Sequence, residues 1–328
     1  MLLAAVVLVA SSPAAARAAD STAVSPAPAA SASASAGTST SAPARHATLP
    51  AASPDGKLVA YCSERDGVTD IFVVDVGMGI SRRVTNTPEV EGPPAWADDG
   101  KNIVFTVARG DTTVLLSVPA AGGMATTVAE LPGVRSIELS NDGKQLAVTR
   151  GSWARSRLGV TSRNGTMFRA LTDSASAWYN LAWSPNDAGI AAAQNDSAGM
   201  MTLVLIRAES GRKSDLVRMP NGYGRPQWPA WSENGKTILF QAAGSADGEP
   251  TERDVYIHKL DVKTRKLTRL RRHDRPMLDE APCWLDDKQI VFQSNQSGAF
   301  ELWIMRADGS DAHSLGTFLG SLLAPAGW

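Results

Sequence analysis

SPDGKLVAY, residues Ser53 to Tyr61, is a tight turn leading into a short apolar strand, and the chain repeats it. In such a turn an Asp side chain bonds its own backbone and a Gly accepts the left-handed conformation. The pattern returns as ADDGKNIVF from Ala97, SNDGKQLAV from Ser140, SPNDAGIAA from Ser184, SENGKTILF from Ser232 and LDDKQIVF from Leu285. The residues before these turns are Ala52, Trp96, Leu139, Trp183, Trp231 and Trp284, at spacings of 44, 43, 44, 48 and 53, and Trp328 follows Trp284 by 44. A sustained period of this length marks a repeat architecture, whose single units cannot bury their faces alone.

Each unit reads as a four-stranded antiparallel blade. A short strand ends at the tryptophan position and the turn reverses the chain into a second strand such as KLVAY. A third strand follows, as in DIFVVDV (Asp70 to Val76), DVYIHKL (Asp254 to Leu260) and ELWIMRA (Glu301 to Ala307), and then a short outer strand such as RRVT (Arg82 to Thr85). Stacked radially, the units predict an all-β fold over residues 47–328, a six-bladed β-propeller. The final LLAPAGW, Leu322 to Trp328, repeats the tryptophan that blade 1 lacks, so it is expected to supply the inner strand of blade 1 and close the ring.

The run W-S-P-D-G-K-x-I-A-F followed by D-I-Y-V-x-D characterises the TolB-like (WD40-like) propeller repeat. This chain resembles that family through SPDGKLVAY with DIFVVDV, and WSENGKTILF with DVYIHKL. The resemblance covers the propeller part only; the α/β domain that precedes the propeller in TolB has no counterpart in the spacer described next. It implies a periplasmic, envelope-associated propeller.

Ahead of the repeats, LLAAVVLVA (Leu2 to Ala10) and an A-x-A pattern ending at Ala18 read as a secretory signal peptide over residues 1–19, too short to span a membrane. Residues 20–46 are an Ala/Ser/Pro spacer: of the 26 residues from Asp20 to Arg45, 23 are Ala, Ser, Thr, Pro or Gly, too few apolar groups to offset the cost of ordering. With 32 basic and 33 acidic residues the chain carries a formal charge of -1, which gives no general attraction to nucleic acid or anionic membranes. The expected location is periplasmic or secreted, with no membrane span.

The search for chemistry returns little. No G-x-S-x-G elbow occurs, His258, His273 and His313 lack the spacing of a helical metal site, and no cofactor motif is present. The recurrent Asp55, Asp99, Asp142, Asn186, Asn234 and Asp286 are read as turn residues and the tryptophans as inter-blade packing. Cys62 and Cys283 fall in blades 1 and 6, ring neighbours, and are open to two readings, a bridge or two buried thiols. The function expected is therefore non-enzymatic binding of a protein at the cell envelope, by a monomer. The alternative is an enzyme or carbohydrate-binding protein with a site across the central channel.

Loop lengths suggest where a partner sits. Turns after the first and third strands of a blade share one face of the disc; loops after the second strand, and the crossovers to the next blade, share the other. Blade 5 carries two insertions on that second face, GSADGEPTER after Ala242 and the crossover from Thr268 to Trp284, beside the basic run KTRKLTRLRRHDR (Lys263 to Arg275). Insertions in repeat folds collect at binding faces. The candidate partner-binding residues are Asp247, Glu249, Arg253, Arg271, Arg272, His273, Arg275 and Asp279, with Glu91 and Glu280 nearer the channel mouth. The basic run suits an anionic partner, a protein or an envelope polymer, and both termini are expected on the opposite face.

Overall fold

A computed structural model describes residues 47–65, 68–97, 100–219, 224–243, 254–271 and 277–315. These form six sheets of four antiparallel strands, each strand hydrogen-bonded to its neighbours in chain order, with no helical element among the described residues. Blade 1 comprises an inner strand Ala47–Ala52, then Leu58–Arg65, Val68–Asp75 and a short outer strand Ser81–Arg83. We call the side of the disc that holds the first and third turns of each blade the turn face, and the other the loop face. No helix among the described residues is long and apolar enough to cross a membrane.

The alternation of side chains along each strand builds the ring. In blade 1, Val59 and Tyr61 pack into the seam with blade 6 while Ala60 between them packs into the seam with blade 2. In blade 5, Ile238 and Phe240 face blade 4 and Leu239 faces blade 6. A period of two thus supplies apolar groups to both faces of every blade. One apolar cluster fills each of the six seams, including the seam between blades 6 and 1, where Cys283, Val291 and Ile304 meet Ala52, Val59 and Phe72.

The tryptophans before the turns join blade to blade. Trp96 is fully buried and its indole N–H donates to the carbonyl of Ala51 at 2.9 Å. Trp183 does the same to Glu138 at 3.3 Å, Trp231 to Ala182 at 3.1 Å and Trp284 to Ala230 at 3.3 Å. Each acceptor is the residue before the tryptophan position of the preceding blade. The inter-blade packing read from the sequence is realised as a repeated clamp.

The recurrent turn residues bond their own turns. Asp142 Oδ1 accepts from the Ser140 hydroxyl at 2.7 Å and the Lys144 N–H at 3.0 Å, and Asp55, Asn186 and Asn234 repeat the arrangement. Gly56, Gly143 and Gly235 take the left-handed position, φ 68°, 70° and 66°. A Cβ on Gly56 would also stand 2.7 Å from the Leu285 carbonyl. In blade 4 that position falls to Asp187, φ 54°, whose carboxylate reaches across to accept the backbone N–H groups of Asn141 and Asp142 at 2.8 and 2.9 Å.

The ring closes differently from the sequence expectation. The inner strand of blade 1 is Ala47–Ala52, not the C-terminal strand, so the place assigned to Leu322–Trp328 is already filled; those residues lie outside the described ones. The physical reason is that a strand here needs small apolar residues and an open edge more than it needs the indole. Ala51 and Ala52 are buried in the two flanking seams. Consequently the described chain enters at Ala47 on the loop face, and the outer strand of blade 6, His313–Ser314, also runs towards that face. The described ends therefore share the face of the blade 5 insertions and leave the turn face clear.

Candidate functional site

Inner strands form the edge of each sheet and line the central channel. Prolines recur on them: Pro50, Pro94, Pro229 and Pro282 each stand two residues before the turn-leading position, with Pro93 beside them. An edge tolerates proline because the imino nitrogen, which cannot donate, faces away from the ladder. Next to these prolines the strands bulge. Leu49, Trp228 and Ala281 adopt left-handed backbone, φ 56°, 53° and 46°, as does Asn180 in blade 4 at 47°, and each sits where the pairing register shifts.

The bulges turn their residues towards a central cavity of about 250 Å³ at the turn face, to which all six blades contribute. Its wall is made by the prolines, Leu49 and the half-buried indole of Trp228. Its described lining includes the carboxylates of Asp55, Glu233 and Asp286, and no lysine, arginine or histidine. The Ser53 hydroxyl, with the Lys57 N–H and ammonium, holds the Asp55 carboxyl below the usual range, so it is ionised at neutral pH.

Towards the loop face, amide side chains take over and hold the bulged backbone from the preceding blade. Gln241 Oε1 accepts the Ala281 N–H at 2.6 Å, and Gln293 Oε1 accepts the Leu49 N–H at 2.7 Å. The other end of Gln293 donates to Glu280 at 2.8 Å, and burial pushes the Glu280 carboxyl above its usual range.

The candidate residues read from the sequence separate into two groups. Asp247, Glu249, Arg253, Arg272, His273 and Arg275 lie outside the described residues. The other four are placed. Arg271 ion-pairs with Asp279 at 3.0 Å, donates to Gln296 at 2.9 Å and lies over the rings of Phe292 and Trp303, 5.6 and 5.9 Å from their centroids. Its side chain is only 14% exposed and that of Asp279 only 1%, so the pair straps the crossover onto blade 6. Glu91 is buried and accepts from Thr85 and Thr87. Thr85–Glu91 in blade 1 and its crossover thus corresponds to Arg271–Asp279 in blade 5 and its crossover. As exposed contacts, Arg271, Asp279 and Glu91 are corrected to internal struts; a crossover that leaves an outer strand must be tied down, and polar groups suited to that task resemble a binding patch in sequence. Lys263, Arg265 and Lys266 are exposed before the outer strand Leu267–Arg269.

Both cysteines are free and buried, and burial pushes the Cys283 thiol up to about 12. His258 is buried against Phe240, which pushes it down to about 4. Among the described residues, no three His, Cys, Asp or Glu side chains stand together as metal ligands. The mouth cavity was not legible in the sequence reading, although the P-x-W spacing of the inner strands was a signal for it.

The TolB beta propeller domain model matches residues 32–233. The chain belongs to the TolB β-propeller family. Among solved structures, putative TolB from Agrobacterium tumefaciens superposes with a TM-score of 0.61 at 20% identity, covering 75% of this chain and 87% of that one. TolB from Acinetobacter baumannii gives 0.63 at 15% identity, covering 78% and 62%. The fold is shared more widely: oligogalacturonate lyase from Vibrio parahaemolyticus gives 0.55 at 12% identity, covering 79% and 89%. In sequence, the uncharacterized peptidase YuxL of Bacillus subtilis is 29% identical over 143 residues, 43% of this chain and 21% of YuxL. The chain spans about a fifth of the length of the curated relatives it matches, 21% and 20%. Membership of the TolB family thus carries the propeller, and the same propeller accompanies enzymes.

Proposed function

We propose that this chain is a periplasmic or secreted, non-enzymatic scaffold that binds a segment of a protein partner at the mouth of its central channel. The observation that carries this reading is the cavity on the turn face, walled by proline and Trp228 and clear of the described chain ends. Its volume of about 250 Å³ falls below the ~300–1,000 Å³ of ordinary small-molecule sites. That is room for side chains from a docked protein rather than for a whole cofactor.

The opposite face suits attachment. The described chain enters there, next to the spacer and on the side of the blade 5 insertions. We assign that side, with Asp247, Glu249, Arg253, Arg272, His273 and Arg275, to contact with an anionic envelope component, protein or polymer.

Affinity capture from the native envelope tests the assignment. Full-length chain should retain a partner that Trp228→Ala loses and that charge reversal of Arg253, Arg272 and Arg275 leaves bound. Loss only in the second variant would move the partner to the loop face. A second reading, a propeller attached to peptidase chemistry, is favoured by the YuxL similarity. Turnover of a peptide p-nitroanilide by the purified chain would replace the scaffold reading with that one.

A further inference from the structure

The lining of the mouth specifies more than apolarity. Five prolines, Pro50, Pro93, Pro94, Pro229 and Pro282, remove N–H donors from the wall while leaving their carbonyls. The described lining brings the acidic side chains of Asp55, Glu233 and Asp286 and no basic one; just outside it the Lys57 ammonium stands 3.8 Å from Asp55. The half-buried Trp228 lines the cavity, and an aromatic face attracts cations.

Several side-chain donors at the mouth are already committed. The Asn141 amide at the rim donates to Ser184 O at 2.9 Å and to Asp187 Oδ1 at 2.7 Å. Asp286 Oδ1 accepts the N–H groups of Lys288 and Gln289, both at 2.7 Å, which hold the carboxylate in place at the rim. What remains for an incoming group is an apolar, aromatic wall rich in acceptors and negative in charge.

We propose that the mouth recognises a lysine or arginine side chain of the partner, flanked by proline or other apolar residues. The cation lies over Trp228 with Asp55, Glu233 and Asp286 around it, and the flanking residues pack on the proline wall. Extended proline-containing segments are taken up by aromatic-lined grooves for the same reason: they lose little conformational entropy on binding. This inference rests on the channel-mouth reading and adds the chemistry of the occupant.

The test is a titration of the full-length chain with three acetylated, amidated pentapeptides, two prolines on each side of a central lysine, norleucine or glutamate. A galacturonate trimer serves as the sugar arm. The lysine peptide should bind saturably, the norleucine peptide about two- to thirtyfold more weakly, the range expected of a cation over an aromatic face, and the glutamate peptide and sugar not measurably. Trp228→Ala should weaken the lysine peptide over the same range. The double variant Glu233→Gln, Asp286→Asn keeps the turn acceptors, so it should keep its melting temperature and yet lose affinity for lysine at low salt.

Equal binding of the lysine and norleucine peptides overturns the cation assignment and leaves the mouth a binding site. Preference for the sugar, unchanged lysine affinity in the double variant, or no saturable binding of any probe also overturns it. The partner capture described above decides the mouth itself, so the two failures are distinguishable.

Discussion

Gln293 in blade 6 accepts the backbone N–H of Leu49 in blade 1 at 2.7 Å, and with that bond the last blade holds the first. Leu49 is a left-handed bulge residue whose N–H has left the ladder, and the same amide donates to Glu280. Ala47 N–H adds a second tie to Phe300 O at 3.0 Å.

Replacing Gln293 with Leu should therefore destabilise the fold by about 1–3 kcal/mol, the cost of stranding a buried donor. Urea unfolding monitored by fluorescence reads it. Truncation of the chain before Ser53, which removes the whole inner strand of blade 1, should abolish cooperative unfolding. If the truncated protein unfolds like the full chain, another segment closes the ring.

Arg271 is expected to behave as a strut. Arg271→Glu leaves the buried Asp279 beside a like charge and should cost about 3–5 kcal/mol. Lys266→Glu on the exposed turn should stay within about 0.5 kcal/mol. As an exposed partner contact, the role expected from the sequence, Arg271 would tolerate charge reversal with little change in melting temperature; the ion pair with Asp279 at 3.0 Å predicts otherwise. Equal melting temperatures for the two variants would restore the surface reading.

Glu138 gives a pH dependence. It stands where the other blades carry Ala51, Ala95, Ala182, Ala230 and Cys283, it is 1% exposed, and burial holds its carboxyl well above the usual range. The backbone N–H of Trp183 partly offsets this and Asp187 adds to it, while Oε2 has no hydrogen-bond partner. The folded state keeps its proton at a pH where the unfolded chain, with a pKa of about 4.3, has lost it. The contribution of this group is thus complete below about pH 4.3 and is lost as the pH rises towards its folded-state value. Glu138→Gln does not titrate there, so it should gain stability on the wild type progressively as the pH rises above about 4.3. Parallel stability profiles for the two proteins would contradict a buried, protonated Glu138.

Much of the fold was legible because the turn chemistry is local. Asp55, Asp142 and Asn234 bond within two or three residues of themselves, so six turns at a steady period declare six blades. The closing strand was not legible, since Ala51 and Ala52 fill small spaces that only the neighbouring blades define, and a terminal tryptophan looked like the missing indole. The site was partly hidden for a related reason. Arg271, Asp279 and Glu91 are polar, and nothing local says that Phe292, Trp303, Thr85 and Thr87 cover them. Prolines on a sheet edge read as breaks in sequence; only the closed ring turns Pro50, Pro94, Pro229 and Pro282 into one wall.

Photo-crosslinking in the native envelope tests the central claim most directly. A benzophenone amino acid is placed at Glu233, on the rim of the mouth, or at the exposed Ser297, in a loop of blade 6 on the opposite face. The account predicts a protein adduct of one defined mass from position 233, suppressed by Trp228→Ala, and no such adduct from position 297. An adduct formed from position 297 and absent from position 233 would contradict it.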